Sequence, residues 1–596
     1  MRSFDKDSLE KLVKQYTVRI RSVSADPGSG FIVGRRGNRY TVVTADHVLR
    51  GKTVSIAPSC VFLKMYDGEV HRVSEGSIRL LEKNDLAVFE FESPRDYPVA
   101  QLSDYQYPLY ANRDYQKVAT ESVSMPGDLA GNKQINRKEF HVFAAGFPNV
   151  GNEAKEGLDE ICGNSTPSKQ ALQEIWSVDD QLRFNPGLLA DTSGITITNP
   201  ESRINNYELV YSNITETGMS GGPITDPNGR VIGMHGRADG KELSAQGKII
   251  SQYLEEVGVV GKSRLSFGMS AGIPISSILR LSSGLKLDRN SLNVTNTPPN
   301  TPVVDMTSWP KPNKFDPKGP TEVLYWLQSG NHEWRLNRFD IAQENFDKAL
   351  EADRKQKSIF QHFGYFLKGF VYTRSQQYTQ ALENCGKATE LPEGREFYDA
   401  WRCKAAASAY LGQFPSATNA MNKALQIQEA KRSQDSKQNP SDYAVLAELL
   451  WQQGQYNGAL LQVSQAISLR QEQDLGESAS LYNLQASILT SLNQYDAAIE
   501  KCDRALAVNP NYSTALTTKG LVFQKQGKKE QAEALFRQAT QLNPQDSNAW
   551  NNLGFALYEM DRSKDALTAF DRAVQLNPDD VAARQNRDDL RKVLKP

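Results

Sequence analysis

The chain has 596 residues, more than one hydrophobic core uses, and this length predicts several structural units or a repeat array. Its 69 Lys and Arg residues balance 70 Asp and Glu residues, so the net charge of -1 argues against nucleic acid as a partner. The cysteines lack the spacing of a metal site or a disulfide framework, which favours a reducing compartment. They are Cys60, Cys162, Cys385, Cys403 and Cys502.

The amino terminus carries no pattern that directs a chain to export. It alternates charged and apolar residues and lacks the continuous apolar region and the cleavage site of a secretory signal. No later stretch reaches the roughly 18 uninterrupted apolar residues of a membrane-spanning helix. We therefore expect a cytoplasmic protein with no membrane partner. An exported form would require a misassigned start codon.

The pattern of the chain changes three times. Residues 1–16 are expected to form an N-terminal helical segment. From about residue 17 to residue 285, short β-branched runs such as TVRIRSV and LAVFEF are broken by Gly, Pro, Asn and Asp, which predicts an all-β barrel or sandwich. Residues 286–319 are rich in Pro, Asn and Thr, which indicates a linker. Over residues 320–596, apolar and Ala positions recur at helical spacing.

The helical half also repeats every 34 residues. In the last repeat the recurring positions, which serve as marks of the repeat, are Trp550, Gly554, Ala566, Phe570, Ala573 and Pro578. One step back they fall on Leu516, Gly520, Ala532, Phe536, Ala539 and Pro544, and a further step back on Tyr482, Ala486, Ala498, Cys502, Ala505 and Pro510. Earlier units can be traced through longer connections, which gives about seven repeats.

These residues and their spacing resemble the tetratricopeptide repeat (TPR). The resemblance implies pairs of antiparallel helices that stack into an all-α superhelical solenoid, with a concave groove that binds a peptide or protein partner. Small residues at the Gly and Ala positions let two helices approach closely, aromatic residues fill the space between successive pairs, and Pro ends the second helix. A generic helical bundle would have no cause to keep six positions at a fixed step.

Three short segments of the first half hold residues suited to nucleophilic catalysis. His47 follows an apolar strand in YTVVTADHV, Asp85 lies in NDLAVFEF, and Ser220 lies in ETGMSGGPI. A serine hydroxyl attacks a carbonyl only when a neutral imidazole takes its proton, and a buried carboxylate on the other ring nitrogen holds that imidazole in one tautomer. Taken singly, each residue is more often structural, and the serine segment could be an ordinary turn. Their order and their strand context together favour a catalytic triad.

Together the three segments resemble the chymotrypsin-like serine peptidases, and are closer to bacterial members than to secreted digestive enzymes because disulfides are missing. The resemblance covers residues 17–285 and implies a double β-barrel that cleaves protein or peptide substrates without a cofactor or a metal. It implies that His47 is the general base, Asp85 orients it, and Ser220 is the nucleophile. The backbone amides of Gly218 and Ser220 would then form the oxyanion hole.

Two positions depart from the family pattern. In the digestive enzymes an aspartate precedes the nucleophile and pairs with the new amino terminus after zymogen cleavage, whereas here the position holds Met219. Activation through that ion pair is therefore excluded. Asp46 stands beside His47 where a small uncharged residue is more usual. We expect its side chain to face out of the site; the alternative is that its charge perturbs the imidazole.

The primary specificity pocket is assigned from the same resemblance. Ile214 takes the position that usually floors the pocket, and it offers no carboxylate to a substrate Lys or Arg. Met234, His235 and Gly236 resemble the strand that pairs with the substrate backbone. These residues predict a medium-sized apolar side chain before the scissile bond, with His235 as a further candidate for tuning specificity.

Two other functions compete with a protease. In one, the protease fold is catalytically silent and the chain is a TPR scaffold or a chaperone-like binding protein. The retained triad and the glycines of the oxyanion turn argue against this reading. In the other, an esterase uses the same triad on an α/β-hydrolase fold, but that fold places Ser before Asp and His in the chain.

Overall fold

We describe a computed structural model of the chain. It describes residues 5–22, 27–49, 60–74, 76–81, 84–104, 141–147, 161, 176, 182–190, 209–211, 219–238, 270–297, 320–356, 360–430 and 438–594. The chain divides into two compact units, one of which ends at residue 375 while the other continues from residue 376 to the C-terminus.

The first unit begins with β-strands and three short helices. Among the described residues, the helices of its β-rich part are α1 (Lys6–Tyr16), α2 (Asp46–Leu49) and α3 (Ile275–Arg280). Its strands up to the first long gap are β1 (Thr17–Ser22), β2 (Gly28–Arg36), β3 (Arg39–Thr44), β4 (Val61–Lys64), β5 (Val70–Arg72), β6 (Arg79–Leu81), β7 (Leu86–Glu92) and β8 (Leu102–Ser103). Those that follow are β9 (His141–Gly146), β10 (Arg183–Ala190), β11 (Leu209–Tyr211), β12 (Pro223–Thr225), β13 (Val231–Ala238), β14 (Ser270–Pro274) and β15 (Val294–Thr295).

The first sheet closes on itself as a six-stranded barrel. Its strands run in the order β5-β4-β1-β2-β3-β7, every pairing between them is antiparallel, and β6 extends the sheet beyond β7. An antiparallel bridge between Val73, just after β5, and Phe91 of β7 joins the two ends. Closure leaves no unpaired edge in the ring and lets alternate side chains fill its interior. Phe31, Val43 and Phe89 are among the fully buried residues of this core.

The second sheet closes in the same way. The order β12-β9-β10-β11-β14-β13 is completed by pairing of β12 with β13, and β8 and β15 add parallel strands outside β13. When the six strands of each ring are numbered along the chain, both rings have the order 1-2-3-6-5-4. The predicted architecture, a β-rich N-terminal part followed by a helical repeat array, is confirmed.

The β-rich part extends beyond residue 285, where the sequence placed the start of a linker. β15 pairs with β8, the residue before it accepts a hydrogen bond from Leu102, and Asp288 forms an ion pair with Arg36. Strand β15 is only two residues long, and a strand this short carries no alternating pattern that a sequence could reveal. Residues 298–319, the rest of the predicted linker, lie outside the described residues.

A helical array occupies the rest of the described chain. Three helices lie in the first unit: α4 (Pro320–Arg335), α5 (Phe339–Gln356) and α6 (Gln361–Arg374). The second unit contains α7 (Tyr378–Glu390), α8 (Tyr398–Tyr410), α9 (Phe414–Ala430), α10 (Pro440–Gln452), α11 (Tyr456–Glu472), α12 (Ala479–Ser491), α13 (Tyr495–Val508), α14 (Ser513–Lys525), α15 (Lys529–Leu542), α16 (Ser547–Glu559), α17 (Ser563–Leu576) and α18 (Val581–Leu594).

A left-handed residue marks the short turn within each helix pair. A helix commonly ends where one residue adopts positive φ, since that conformation lets the next backbone amides satisfy the last helical carbonyls. Such a residue lies in the turn after each even-numbered helix from α4 to α16. In chain order these are Asn337, Gln376, Gly412, Gly454, Asn493, Gly527 and Asp561, with φ between 58° and 74°.

The glycines of the repeat pattern are packed against phenylalanine rings. A Cβ on Gly520 would lie 2.6 Å from Cε1 of Phe536, and a Cβ on Gly554 would lie 2.7 Å from the ring of Phe570. Gly330 and Phe346 stand in the same relation in the first unit. The 34-residue spacing therefore records a close approach of two helices, as the sequence predicted from the sizes of the residues.

Two of the cysteines are joined, although their spacing did not suggest it. Cys385 of α7 and Cys403 of α8 form a disulfide, with their Cα atoms 5.7 Å apart. They lie on consecutive helices, and a pair brought together by helix packing does not show the spacing of a disulfide framework. The scatter of the cysteines therefore did not exclude a disulfide. In the part of the chain that the structure describes, no helix is both long enough and apolar enough to cross a membrane.

Candidate active site

The register of the first barrel brings His47 and Asp85 together. β3 and β7 pair with Thr44 opposite Ala87, so the residues just after β3 lie beside those just before β7. His47 lies in the single turn of α2, and Asp85 precedes β7 in the left-handed conformation, with φ of 48°. A non-glycine residue with positive φ is uncommon and marks a position that the surrounding structure holds in place.

The carboxylate of Asp85 makes several hydrogen bonds with His47. It accepts from the backbone N–H of His47 at 3.0 Å, and its two oxygens lie 3.0 and 2.8 Å from the Nδ1 atom of the ring. An ionised carboxylate only accepts hydrogen bonds, so we assign the ring proton to Nδ1 and leave Nε2 as the basic nitrogen. The side chain of Asp85 is 4% exposed and that of His47 is 45% exposed. A buried anion thus orients an accessible imidazole.

Asp46, the residue before His47, is buried. Its side chain is buried and 1% exposed, and its backbone N–H donates to the carbonyl oxygen of Asp85 at 3.2 Å. The backbones of Asp46 and His47 therefore both bind Asp85, one through its carbonyl oxygen and the other through its carboxylate. The expectation that the Asp46 side chain faces out of the site stays a prediction, because burial alone does not fix the direction of a side chain.

Ser220 lies in a tight turn before β12. The N–H of Gly222 donates to the carbonyl of Met219 at 3.0 Å, and Gly221 has φ of 85°, which favours glycine. His235 holds the turn from one side: its carbonyl accepts from Gly221 at 2.7 Å, and its N–H donates to Gly222 at 2.8 Å. The turn is therefore fixed by backbone hydrogen bonds on both sides of residue 221.

The Ser220 turn also contacts the first barrel close to His47. The carbonyl of Ser220 accepts a hydrogen bond from the N–H of Ser29 at 2.8 Å. A Cβ on Gly221 would lie 3.0 Å from the backbone nitrogen of Ala45, which is two residues before His47. Among the described residues the hydroxyl of Ser220 donates to the carbonyl of Gly236, at 3.4 Å, and makes no hydrogen bond to His47.

The structure describes only part of the predicted oxyanion hole and specificity pocket. Gly218 and Ile214 lie outside the described residues. Met234 is fully buried and belongs to the hydrophobic core of the barrels, with Pro223 and Ile273 as its neighbours in the sheet. Its side chain therefore packs in the core in this structure.

His235 is buried and held by a second aromatic residue. It is 1% exposed, and its Nδ1 atom forms a hydrogen bond with the hydroxyl of Tyr211, which is fully buried. Burial raises the pKa of Tyr211 well above the usual range, so the phenol stays protonated at neutral pH. The residue type of Tyr211 gave no signal of this role, although Tyr211 lies in ELVYS, one of the short β-branched runs of the first half.

Two histidines outside these segments have lowered pKa values. Burial lowers the pKa of His141 to about 4 and, together with Arg95, lowers the pKa of His71 against the opposing effect of Asp67 and Glu69. Both are therefore neutral at pH 7. Nε2 of His71 forms a hydrogen bond with the hydroxyl of Tyr97 at 3.0 Å, so His71 belongs to a polar cluster of the first barrel.

These features define a domain of two antiparallel β-barrels with a His–Asp pair on one barrel and a glycine-flanked serine turn on the other, followed by stacked helix pairs. Residues 28–234 match the family model of the trypsin-like peptidase domain. Residues 477–545 and 517–581 match models of the tetratricopeptide repeat. The chain therefore carries a trypsin-like peptidase domain in its N-terminal part and tetratricopeptide repeats in its C-terminal part.

Comparison with solved structures returns TPR proteins. YrrB, described as a TPR protein with an unusual peptide-binding site, is 21% identical, with 35% of this chain and 100% of that chain covered and a TM-score of 0.24. A tetratricopeptide repeat protein from Parabacteroides merdae is 13% identical, with 46% and 99% covered and a TM-score of 0.40. MamA is 21% identical, with 29% and 94% covered and a TM-score of 0.23. No curated protein matches the chain.

Proposed function

We propose that the chain is a serine endopeptidase in which His47, Asp85 and Ser220 form a catalytic triad, and that its TPR array recruits a substrate or an adaptor or regulates activity. The observation that carries the proposal is the hydrogen-bonded His47–Asp85 pair, at 2.8 Å, within a region that matches the trypsin-like peptidase domain and also contains the Ser220 turn. No step requires a metal or a cofactor.

In the proposed reaction His47 carries a proton between the nucleophile and the leaving group. Nε2 of His47 takes the proton of Ser220 as Oγ bonds to the substrate carbonyl carbon, whose π electrons move to its oxygen. The tetrahedral species then expels the amine, which receives the proton from His47 and leaves an acyl group on Ser220. Water attacks the acyl-enzyme by the same route, and Ser220 recovers its proton. Asp85 keeps Nδ1 protonated and stabilises the imidazolium.

The amides of Gly218 and Ser220 are proposed to bind the oxyanion. Gly221 and Gly222 support this role, because the first adopts positive φ and a Cβ on the second would overlap the carbonyl oxygen of Ala145. Loss of one oxyanion donor costs about 3 kcal/mol of transition-state stabilisation. The hydroxyl of Ser220, which donates to the carbonyl of Gly236 in the structure, must turn toward His47 for this reaction.

We propose that Ile214, His235 and Gly236 border the primary pocket, and that Met234, whose side chain packs in the core, borders it through its backbone. The absence of a carboxylate at 214 argues against a substrate Lys or Arg and supports a medium-sized apolar residue before the scissile bond. His235 is fixed by Tyr211, so its contribution to the pocket would be a rigid one. A peptide-library cleavage profile measures the preference directly.

The TPR array is proposed to bind a protein or peptide in its groove. A tether between two binding modules raises the effective concentration at the second module to about millimolar, so a weak active site can still be selective. A pull-down with Ser220→Ala protein, which should retain uncut substrates, identifies what the array and the active site bind.

The test of the proposed activity is covalent labelling by a fluorophosphonate probe. We expect labelling of the full-length protein, complete loss in Ser220→Ala, and near-complete loss in His47→Ala, because the hydroxyl is hardly nucleophilic without its base. Ser93→Ala, which changes a buried serine outside the three segments, is the matched control and should label normally. A folded wild-type protein that stays unlabelled would favour the silent scaffold instead.

A further inference from the structure

We propose that Ser29 and Thr44 are positioning residues that hold the Ser220 turn at a fixed distance from the strand leading to His47. The inference rests on the proposed function, since it assigns how the nucleophile and the base, carried by different barrels, are kept in register. The side-chain hydroxyl of Thr44 donates a hydrogen bond to the backbone carbonyl of Ser29, and we call the two residues the Ser29–Thr44 clamp.

Ser29 makes two hydrogen bonds to the second barrel and one to Thr44 within the first. Its N–H donates to the carbonyl of Ser220 at 2.8 Å, and its Oγ accepts from the N–H of Phe147 at 2.8 Å. Its carbonyl accepts from Oγ1 of Thr44 at 2.6 Å. Ser29 lies on β2 of the first barrel, whereas Phe147 follows β9 of the second, and Ser29 has no exposed surface. A buried polar residue with partners on both barrels fixes their separation at this point.

Thr44 connects this clamp to the His47–Asp85 pair. It is the last residue of β3, three positions before His47, and it pairs with Ala87 of β7, two positions after Asp85. Thr44 is fully buried. A shift of its backbone would therefore move the two segments that bear the proposed base and its carboxylate.

The Ser220 turn rests directly on the clamp. A Cβ on Gly221 would overlap both the carbonyl oxygen of Ser29 and the Oγ1 atom of Thr44. A Cβ on Gly30, which follows Ser29, would lie 2.8 Å from Ile20. Gly221 thus allows the turn to approach the clamp, and Gly30 allows close packing within the first barrel. The Thr44 hydroxyl lies close to both the turn and β2. The distance from Ser220 to His47 depends on this packing.

Removing the Thr44 hydroxyl should reduce turnover more than it reduces substrate binding. Thr44→Val keeps the shape of the side chain but leaves the buried carbonyl of Ser29 without this donor, so the backbone must shift to find another. A misplacement of about 1 Å between reacting groups costs about 100-fold in rate. We expect kcat to fall about 10- to 100-fold with KM within about threefold, and Thr44→Ser, which keeps the hydroxyl, to restore most of the loss.

Thr17→Val is the matched control for this change. Thr17 is also fully buried, and its Oγ1 also donates to a backbone carbonyl, that of Val13 at 2.7 Å, but neither residue belongs to the site. Both variants remove one buried hydroxyl donor, so their thermal midpoints should fall by similar amounts. Only Thr44→Val should lose labelling rate. Ser29→Ala, which removes the acceptor for Phe147, is a second variant in case Thr44→Val does not fold.

The experiment measures the fluorophosphonate labelling rate of the full-length protein between pH 5 and pH 9, and kcat and KM on a cleaved peptide. A lower plateau rate in Thr44→Val and Ser29→Ala, with normal rates in Thr17→Val and Thr44→Ser, supports the clamp. Equal rates in Thr44→Val and Thr17→Val overturn the clamp and leave the proposed function intact. An unlabelled wild-type protein overturns the proposed function itself, and the positioning role with it.

Discussion

Gly520 and Phe536 share one small volume between the paired helices α14 and α15. A Cβ on Gly520 would lie 2.6 Å from the ring of Phe536, and Phe536 is fully buried. In three further repeats the larger position holds a smaller residue and the glycine position holds alanine, and both members are buried. These pairs are Ala405 with Met421, Ala447 with Val463, and Ala486 with Cys502. In these pairs a smaller residue at one position accompanies a larger residue at the other.

Gly520→Ala should therefore be harmful alone and tolerated with a smaller partner. We expect the single variant to lose about 1–3 kcal/mol of unfolding free energy through overpacking, and Phe536→Cys to lose about 2–4 kcal/mol through the cavity it leaves. The double variant reproduces the Ala486–Cys502 pair and should lose at least about 1 kcal/mol less than the sum. Urea unfolding of the four proteins gives the coupling energy.

Gly386 supplies the control for the glycine substitution. It lies within helix α7, and a Cβ there would meet no atom within 4 Å. Alanine is a better helix former than glycine, so Gly386→Ala should be neutral or stabilising by about 0.5–1 kcal/mol. A Gly520→Ala variant as stable as Gly386→Ala would contradict the shared-volume argument.

At the scale of elements, helix α1 is a part of the β-domain core. Its buried residues are Leu9, Val13 and Tyr16, and the hydroxyl of Tyr16 donates to the carbonyl of Gly229 at 3.0 Å. Gly229 lies in the turn between β12 and β13, the hairpin that follows Ser220 and includes His235. The N-terminal helix therefore supports the strand pair nearest to the proposed nucleophile.

Gly229→Ala should destabilise the protein by more than a left-handed glycine alone explains. Gly229 has φ of 76°, and its Cβ would lie 2.8 Å from Leu12 and 3.0 Å from Leu9. Gly68 has φ of 85° but no atom within 4 Å of such a Cβ. Both substitutions should cost about 1–2 kcal/mol for the backbone conformation, and Gly229→Ala about 1 kcal/mol more because α1 must shift. If both substitutions lower the free energy of chemical unfolding by the same amount, α1 moves away from residue 229 without a measurable cost.

The sequence predicted elements best where a pattern repeats. The 34-residue marks predicted helix pairs with small residues at their contacts, and the structure places Gly554 against Phe570 as those marks require. The β-branched runs predicted strands but not their closure, because the Val73–Phe91 bridge joins residues of no special type. β15 was assigned to a linker, since two residues show no period.

The residues of the candidate site could be predicted from their types and their positions beside strands, but their spatial arrangement could not. A histidine after one strand and an aspartate before another are visible in the sequence, but the register of β3 with β7, which brings them together, is a property of the sheet. Ser29 was not singled out, because a serine between two glycines, Gly28 and Gly30, has no distinctive chemistry until its partners are known. The glycines were the available signal, since they permit close backbone approach within a strand.

At the scale of the whole molecule, the two compact units have separate hydrophobic cores. Val43 is fully buried in the barrel core of the first unit, and Phe536 is fully buried in a core of the second unit formed by repeat helices. In a stacked array each repeat gains its stability from its immediate neighbours, whereas a closed barrel gains it from strands distant in sequence. The two kinds of core should therefore lose structure as independent cooperative units.

We expect calorimetry of the full-length protein to show two separable transitions. Val43→Ala, which opens a cavity costing about 2 kcal/mol, should lower the midpoint of one transition by several degrees and leave the other in place. Gly520→Ala should shift only the other, because its overlap with Phe536 involves the repeats alone. A ligand of the TPR groove should raise the midpoint of the transition that Gly520→Ala shifts and leave the other midpoint unchanged. The increase should follow the logarithm of the ligand concentration. A single transition that moves with both substitutions would show that the units unfold as one.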